Sequence, residues 1–288
     1  MNTLIAISGL GVFCLIAEIF NFRKAIVPVV ILGLLAILGT TLNIWSFGEL
    51  LNSQYTNMIV ADKFSNAFSS LFIVLTIFLV AMSHDVYKDH ETKISDFIAI
   101  KIFLLAGAVA MVSFSNLSMY FLGIETLSIA LYILAGSSRL DIKSNEAGMK
   151  YFLMGSFASG FILFGICLIY GAMGSFDVTE ISEMSRSAEL PIWFPIGISL
   201  LTVGMLFKIA AVPFHFWAPD VYEGAPSIVT ATMSTLAKVV AFATLYKLLA
   251  TMNADISSAY QNIIIIVSIA SMTVGNIMAL RQNNVKRM

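Results

Sequence analysis

Apolar residues fill this chain in long blocks, and short polar stretches separate them. Nine blocks reach the length that crosses a bilayer as a helix, about 20 residues. They are 3–21, 26–46, 64–83, 96–113, 116–135, 148–171, 192–222, 226–249 and 259–280. The joining segments, such as SHDVYKDHETK and GSSRLDIKSNEAG, are polar and carry turn chemistry. Strands of a membrane barrel would alternate apolar and polar positions over ~10 residues, and these blocks do not. Lipid leaves the backbone no hydrogen-bond partner outside itself, so the blocks read as helices. The pattern predicts an all-α integral membrane protein of about nine transmembrane helices, with no low-complexity linker and no soluble domain.

Composition agrees. Hydrophobic residues make up 59% of the chain and charged residues 11%, against about 25% charged in soluble domains. Mean hydropathy is +0.91. A net charge of −1 argues against a polyanionic partner, so no nucleic acid is expected. Cys14 and Cys167 both lie in apolar runs, which offers neither a disulfide framework nor metal-ligand spacing. The start lacks the basic region of a signal peptide and reads as a mature first span.

Arg23, Lys24, Lys88, Lys93, Lys101, Arg139, Lys143, Lys150, Arg281, Lys286 and Arg287 fall on one side of the predicted topology. Lys63, Arg186 and Lys247 fall on the other. The richer side is cytoplasmic by the positive-inside rule, which puts the N-terminus outside and the C-terminus inside.

Two lysines fit neither side. Lys208 and Lys238 each lie roughly 18 Å into a span, counted from opposite faces at about 1.5 Å per residue. Glu125 lies similarly inside its own span. A charge at the bilayer centre costs about 2.5–3.5 kcal/mol, and such residues usually pair, line water or carry protons. A Lys–Glu pair that merely fixes helix packing is the plainer reading. One glutamate neutralises one lysine, however, and the second lysine then has no carboxylate. That imbalance favours a proton-handling role for the set.

Pro213 follows Lys208 by five positions. It has no N–H, so the carbonyl of Ile209 loses its helical donor, and Val212 before it is biased out of the helical region. The block 192–222 would also measure about 45 Å as one helix, against a hydrocarbon core of about 30 Å. Two half-helices with a break at 211–214 fit better, and broken helices beside ionisable groups are the usual build of ion sites in transporters. His215 lies just past the break, and histidine is the side chain suited to relay a proton near neutral pH; a satisfied packing histidine is an equal reading.

The remaining polar groups read as ordinary. Glu18 sits near a cytoplasmic end, where Arg23 or Lys24 can pair with it. His84 and His90 lie in a polar loop. Lys247 lies near a helix end and can snorkel. No haem, iron–sulfur or zinc spacing and no phosphate-binding glycine loop occurs.

The stretch FKIAAVPFHFWAPDVYEGAPSIVTATMSTLAKVVAF resembles the antiporter-like membrane subunits of proton-pumping NADH:quinone oxidoreductase, respiratory complex I. The loop APDVYEGAP, with Asp220, Tyr222 and Glu223, is similar to the subunit N branch; related cation/proton antiporters tend to carry a histidine-containing version of it. YFLGIETLSIALYIL matches the family's glutamate helix, and GNIMALRQNNVKRM continues the likeness, which covers about 96–288.

The resemblance implies roles for single residues. Glu125 matches the glutamate of the fifth helix, Lys208 the lysine of the broken seventh helix, and Lys238 the lysine of the eighth. In the family the first two form a pair whose separation changes the lysine's hold on its proton, and the second lysine passes the proton on. The span count places three N-terminal helices in 1–95, and the resemblance implies a first five-helix repeat in 96–250 and the beginning of a second repeat in 251–288. The family has two such repeats and about fourteen spans, so a chain ending at Met288 is expected to be a fragment or a truncated product that completes no proton path alone. This chain is expected to bind no cofactor. NADH, FMN, iron–sulfur clusters and quinone belong to other subunits, the partners are other membrane subunits, and the setting is a bacterial inner membrane. Two rivals stand beside this reading: a subunit of a multisubunit cation/proton antiporter, and a structural membrane scaffold.

Overall fold

A computed structural model describes residues 2–20, 25–42, 44, 57–86, 94–187, 190–252 and 258–288. These form helices α1 (Asn2–Ile19), α2 (Ile26–Thr41), α3 (Lys63–Val86), α4 (Ile94–Ser113), α5 (Leu117–Ala135), α6 (Ile142–Met173), α7 (Val178–Ser187), α8 (Trp193–Ile209), α9 (Trp217–Gly224), α10 (Ser227–Ser234), α11 (Leu236–Met252) and α12 (Ser258–Leu280). Among the described residues seven segments are long and apolar enough to span a bilayer, α10 and α11 together counting as one; α2 and α8 are shorter apolar helices. Each predicted block therefore holds a helix. Arg23, Lys24, Lys88, Lys93 and His90, and the side chain of His84, lie outside the described residues.

Several boundaries differ from expectation for identifiable reasons. α6 starts at Ile142 rather than 148 because Asp141 caps it, accepting from Lys143 N at 2.9 Å. The acidic loop after α6 contains the short amphipathic helix α7, capped by Asp177, which accepts from Thr179 N at 2.9 Å. The eighth block is interrupted at Thr235, which separates α10 from α11.

The centre of the bundle is α4, nearly all of whose residues are buried. It packs against α1, α3 and α5. Membrane helices gain little from burying apolar surface against one another, so close approach depends on small residues. α4 and α5 meet at Gly107 and Gly123: a Cβ on Gly107 would stand 2.6 Å from Leu127 N and 2.9 Å from Gly123 O. α6 and α8 meet the same way at Gly165 and Gly197, where a Cβ on Gly165 would stand 2.6 Å from Gly197 O. The two crossings seat α5 and α8, the helices of Glu125 and Lys208, within one body.

Gly107→Ala should overpack the α4–α5 crossing and cost about 1–3 kcal/mol, read as a lower thermal midpoint of the detergent-purified protein. Gly160→Ala on α6, where a Cβ meets nothing within 4 Å, should leave the midpoint unchanged or raise it slightly. Equal effects of the two would mean that the crossing is not a close contact.

Candidate functional site

α8 stops at Ile209, and the chain does not resume helix until Trp217. The break is wider than the expected 211–214, because Ala210 turns left-handed at φ 64° before Pro213 is reached. A left-handed alanine is costly by about 1–2 kcal/mol, so neighbouring contacts must hold it. Those contacts are visible in the fate of the last four carbonyls of α8, which have no helical partner. Leu206 O accepts from Ala211 N at 2.9 Å. Phe207 O accepts from Ala210 N at 2.9 Å and from Trp217 Nε1 at 3.1 Å. Lys208 O and Ile209 O accept from Lys238 Nζ, at 3.1 and 2.9 Å.

The carbonyl that Pro213 frees is thus bound by the second internal lysine. Lys238 stands in the first turn of α11, just past the interruption at Thr235. Its ammonium also lies over the rings of Trp217, 4.9 Å from the centroid, and Tyr222, 5.8 Å. Tyr222 in turn donates to Met233 O at 3.3 Å, a carbonyl exposed by the second interruption. Two broken helices face each other and cap each other's free groups.

Lys208 points the other way. Its ammonium donates to Ser128 Oγ at 2.7 Å and to Tyr132 Oη at 3.2 Å, both on α5. Glu125, Ser128 and Tyr132 are spaced three and then four residues apart, so they share a helix face. Among the described residues no ion pair joins Glu125 to Lys208; the ammonium sits on the hydroxyls further along the same face. Glu125 Oε1 is buried and has no hydrogen-bond partner among the described residues.

His215 lies in the break. Its Nε2 is 3.2 Å from Met278 Sδ of α12, and its Nδ1 is buried without a hydrogen-bond partner among the described residues. Val212 N donates to Ser271 Oγ of α12 at 3.0 Å. No group of acidic, cysteine or histidine side chains among the described residues could hold a metal ion.

Sequence reasoning missed three features. Ser128 and Tyr132 carry no charge and looked like ordinary span residues; their three- and four-residue spacing from Glu125 was the available signal. Lys101, assigned to the cytoplasmic face, is 2% exposed inside the bundle. It donates to Ser83 Oγ and, at 3.4 Å, to Leu79 O of α3. Lys247 lies near its helix end as expected, but its partners were not foreseen: it donates to Val112 O, near the end of α4, at 2.7 Å and lies 3.8 Å from Asp62, just before α3.

Residues 114–288 match the family described as NADH:quinone oxidoreductase/Mrp antiporter, transmembrane. The chain belongs to that family. Among its relatives, a Flavobacterium johnsoniae protein named NADH-quinone oxidoreductase subunit N is 72% identical over 295 residues, covering 100% of this chain and 63% of that protein. The chain thus spans 63% of the length of that relative. A chain of respiratory complex I from Thermus thermophilus, solved with bound aureothin, has a TM-score of 0.77 at 28% identity, covering 99% of this chain and 60% of that one. A chain of the Mrp complex from Dietzia sp. DQ12-45-1b has a TM-score of 0.79 at 20% identity, covering 97% and 54%. At that identity the second likeness speaks for the fold alone.

The two lysines of this family member should separate on stability. Lys238→Met leaves two carbonyls of α8 without donors and should cost about 1–3 kcal/mol in thermal stability. Lys208→Met removes a donor from hydroxyls and should cost less, since Ser128 Oγ still bonds Ile124 O at 2.6 Å. Thermal midpoints of the purified variants check this; a larger loss for Lys208→Met would contradict the capping role of Lys238.

Proposed function

We propose that the chain is part of a redox-coupled proton translocase, the NADH:quinone oxidoreductase of the bacterial inner membrane, and carries protons along Glu125, Lys208 and Lys238. The observation that carries this reading is the meeting of Lys208 and Lys238 at one helix end. Lys238 Nζ binds the carbonyls of Lys208 and Ile209, while Lys208 Nζ reaches the α5 face that bears Glu125. A packing pair would need one cation and one carboxylate. Here two cations and a carboxylate share a broken, polar site, as proton relays do.

The mechanism follows from electrostatics. A carboxylate drawn close to Lys208 holds the proton on its ammonium. When Glu125 withdraws to the far end of its helix face, that attraction weakens, and the proton passes toward the break and Lys238. His215 stands in the same break, with one ring nitrogen available. Residues 96–250 act as one antiporter-like repeat, with the Arg139–Lys143 turn on the cytoplasmic side. NADH, FMN, iron–sulfur clusters and quinone are handled by partner subunits; the chain supplies proton-carrying groups and no redox centre.

The subunit N relatives and the APDVYEGAP loop favour this reading over a cation/proton antiporter. Both readings share the lysines and the break, so drive by NADH oxidation is what separates them.

The test uses the full-length gene product in its native membrane complex. Glu125→Gln and Lys208→Met should each lower NADH-driven proton pumping about tenfold or more, with assembly retained. Glu125→Asp should be milder, since it keeps the charge with a shorter reach. Glu125→Gln pumping at the parental rate and stoichiometry would return Glu125 to a packing role.

A further inference from the structure

A cavity of about 1220 Å³ lies at the α5–α6 turn. Asp96 from the first turn of α4 lines it, as do Arg139 and Asp141 from the turn and Met149 and Phe152 from α6. Its charged groups sit where the chain leaves the apolar blocks, a lining that suits water. Tyr132 belongs to the same wall, yet it is only 7% exposed, and its hydroxyl is the oxygen 3.2 Å from Lys208 Nζ. One residue therefore borders both the cavity and the internal ammonium.

Its position is built rather than incidental. The Tyr132 hydroxyl lies against the bare backbone of Gly155 on α6, where a Cβ would overlap it. The ring is fixed edge-on to Tyr151, with centroids 4.8 Å apart and planes at 89°. Tyr151 stacks on Trp217 at 4.7 Å, and Trp217 carries Lys238 on its face. Ser128, the other partner of Lys208, directs its own proton to Ile124 O at 2.6 Å. It can hold the ammonium, but its hydrogen is already engaged.

We propose that Tyr132 relays protons between this cavity and Lys208. The proposal rests on the proton-translocation reading above. A tyrosine hydroxyl both donates and accepts. While Lys208 is charged, the ammonium donates to the Tyr132 oxygen. Once Lys208 has passed its proton on, the neutral amine takes the hydroxyl proton, and the same oxygen takes a proton from a hydronium ion in the cavity water. The tyrosine O–H and one hydronium O–H break, a new tyrosine O–H and an N–H on Lys208 form, and the tyrosine is unchanged. The net result is one proton moved from water to Nζ. The glycine at 155 and the aromatic wall keep the hydroxyl in this position and bulk water away from the ammonium.

The experiment again uses the full-length protein in its native complex. Tyr132→Phe keeps the ring and removes the relay oxygen. It should assemble at the parental level and pump about tenfold more slowly with NADH. A second arm places a cysteine in the cavity wall, Met149→Cys, in a Cys167→Ser background that removes the exposed native thiol. A charged, membrane-impermeant thiol reagent added from the cytoplasmic face after assembly should react and lower pumping at least as far as Tyr132→Phe does. If Lys208→Met abolishes pumping while Tyr132→Phe pumps at the parental rate, the relay is wrong and the translocation reading stands. If Lys208→Met itself pumps normally, the translocation reading fails and the relay falls with it. Complete labelling of Met149→Cys without loss of pumping would overturn the cavity as the proton source, and this arm decides even if Tyr132→Phe fails to assemble.

Discussion

The structure turns on four carbonyls. A helix that ends inside a membrane leaves its last turn without partners, and in hydrocarbon each unsatisfied group costs several kcal/mol. α8 ends at Ile209, and all four of its terminal carbonyls are bound by the backbone of the break, Trp217 and Lys238. The same end concentrates the negative pole of the helix, equivalent to about half an elementary charge. Both features favour a cation. Lys238 meets them directly, and Lys208, one residue from the helix end, lies in the same field. The break therefore makes two ammonium groups tolerable where a continuous helix would reject them.

Much of the surrounding architecture holds this broken end still. The small-residue crossings bring α5 and α8 into the body around α4 and α6. α12 is fastened to α8 and to the interruption after it: Tyr260 to Thr202 of α8, Ser271 to Val212 N and Met278 to His215 in the break. Beyond α12, Arg287 reaches Asp220 at 3.0 Å and Glu223 at 2.7 Å, and Lys286 Nζ donates to Ala225 O at 2.8 Å. The Arg287 hydrogen bond holds the Glu223 carboxyl below the ordinary carboxylate range. The acidic residues of APDVYEGAP thus anchor the resumed helix, while its aromatic residues, Trp217 and Tyr222, face Lys238.

The helices were legible because a bilayer demands length and apolarity, and both are visible in one sequence. The break was legible because proline removes a donor at a position fixed by the chain, and Pro213 names the carbonyl it frees. The partner of that carbonyl was not. Lys238 lies 29 residues beyond Ile209, and no local pattern connects them. The left-handed turn at Ala210 was hidden as well, since alanine is a poor signal for positive φ. Lys101 was read as interfacial because it lies five residues past the start of its block; only the packing of α3 and α1 on α4 makes it internal. Neutral hydroxyls were the deepest omission. Charge counting draws the eye to Glu125, but Ser128 and Tyr132 bind the ammonium.

That substitution of hydroxyls for a carboxylate bears on how such a site can switch. A direct Glu125–Lys208 ion pair in a low-dielectric interior would be strong and slow to part. A hydroxyl pair solvates the ammonium without neutralising it, so the lysine can lie nearer to or further from the carboxylate along one helix face at small cost. The Oε1 of Glu125, buried and without a hydrogen-bond partner among the described residues, supplies the other half of the contrast. It is an acceptor three residues from the Ser128 hydroxyl that holds the cation. On the proposed translocation reading, an ammonium nearer the carboxylate would hold its proton more firmly than one resting on the hydroxyls, because only the carboxylate carries a neutralising charge.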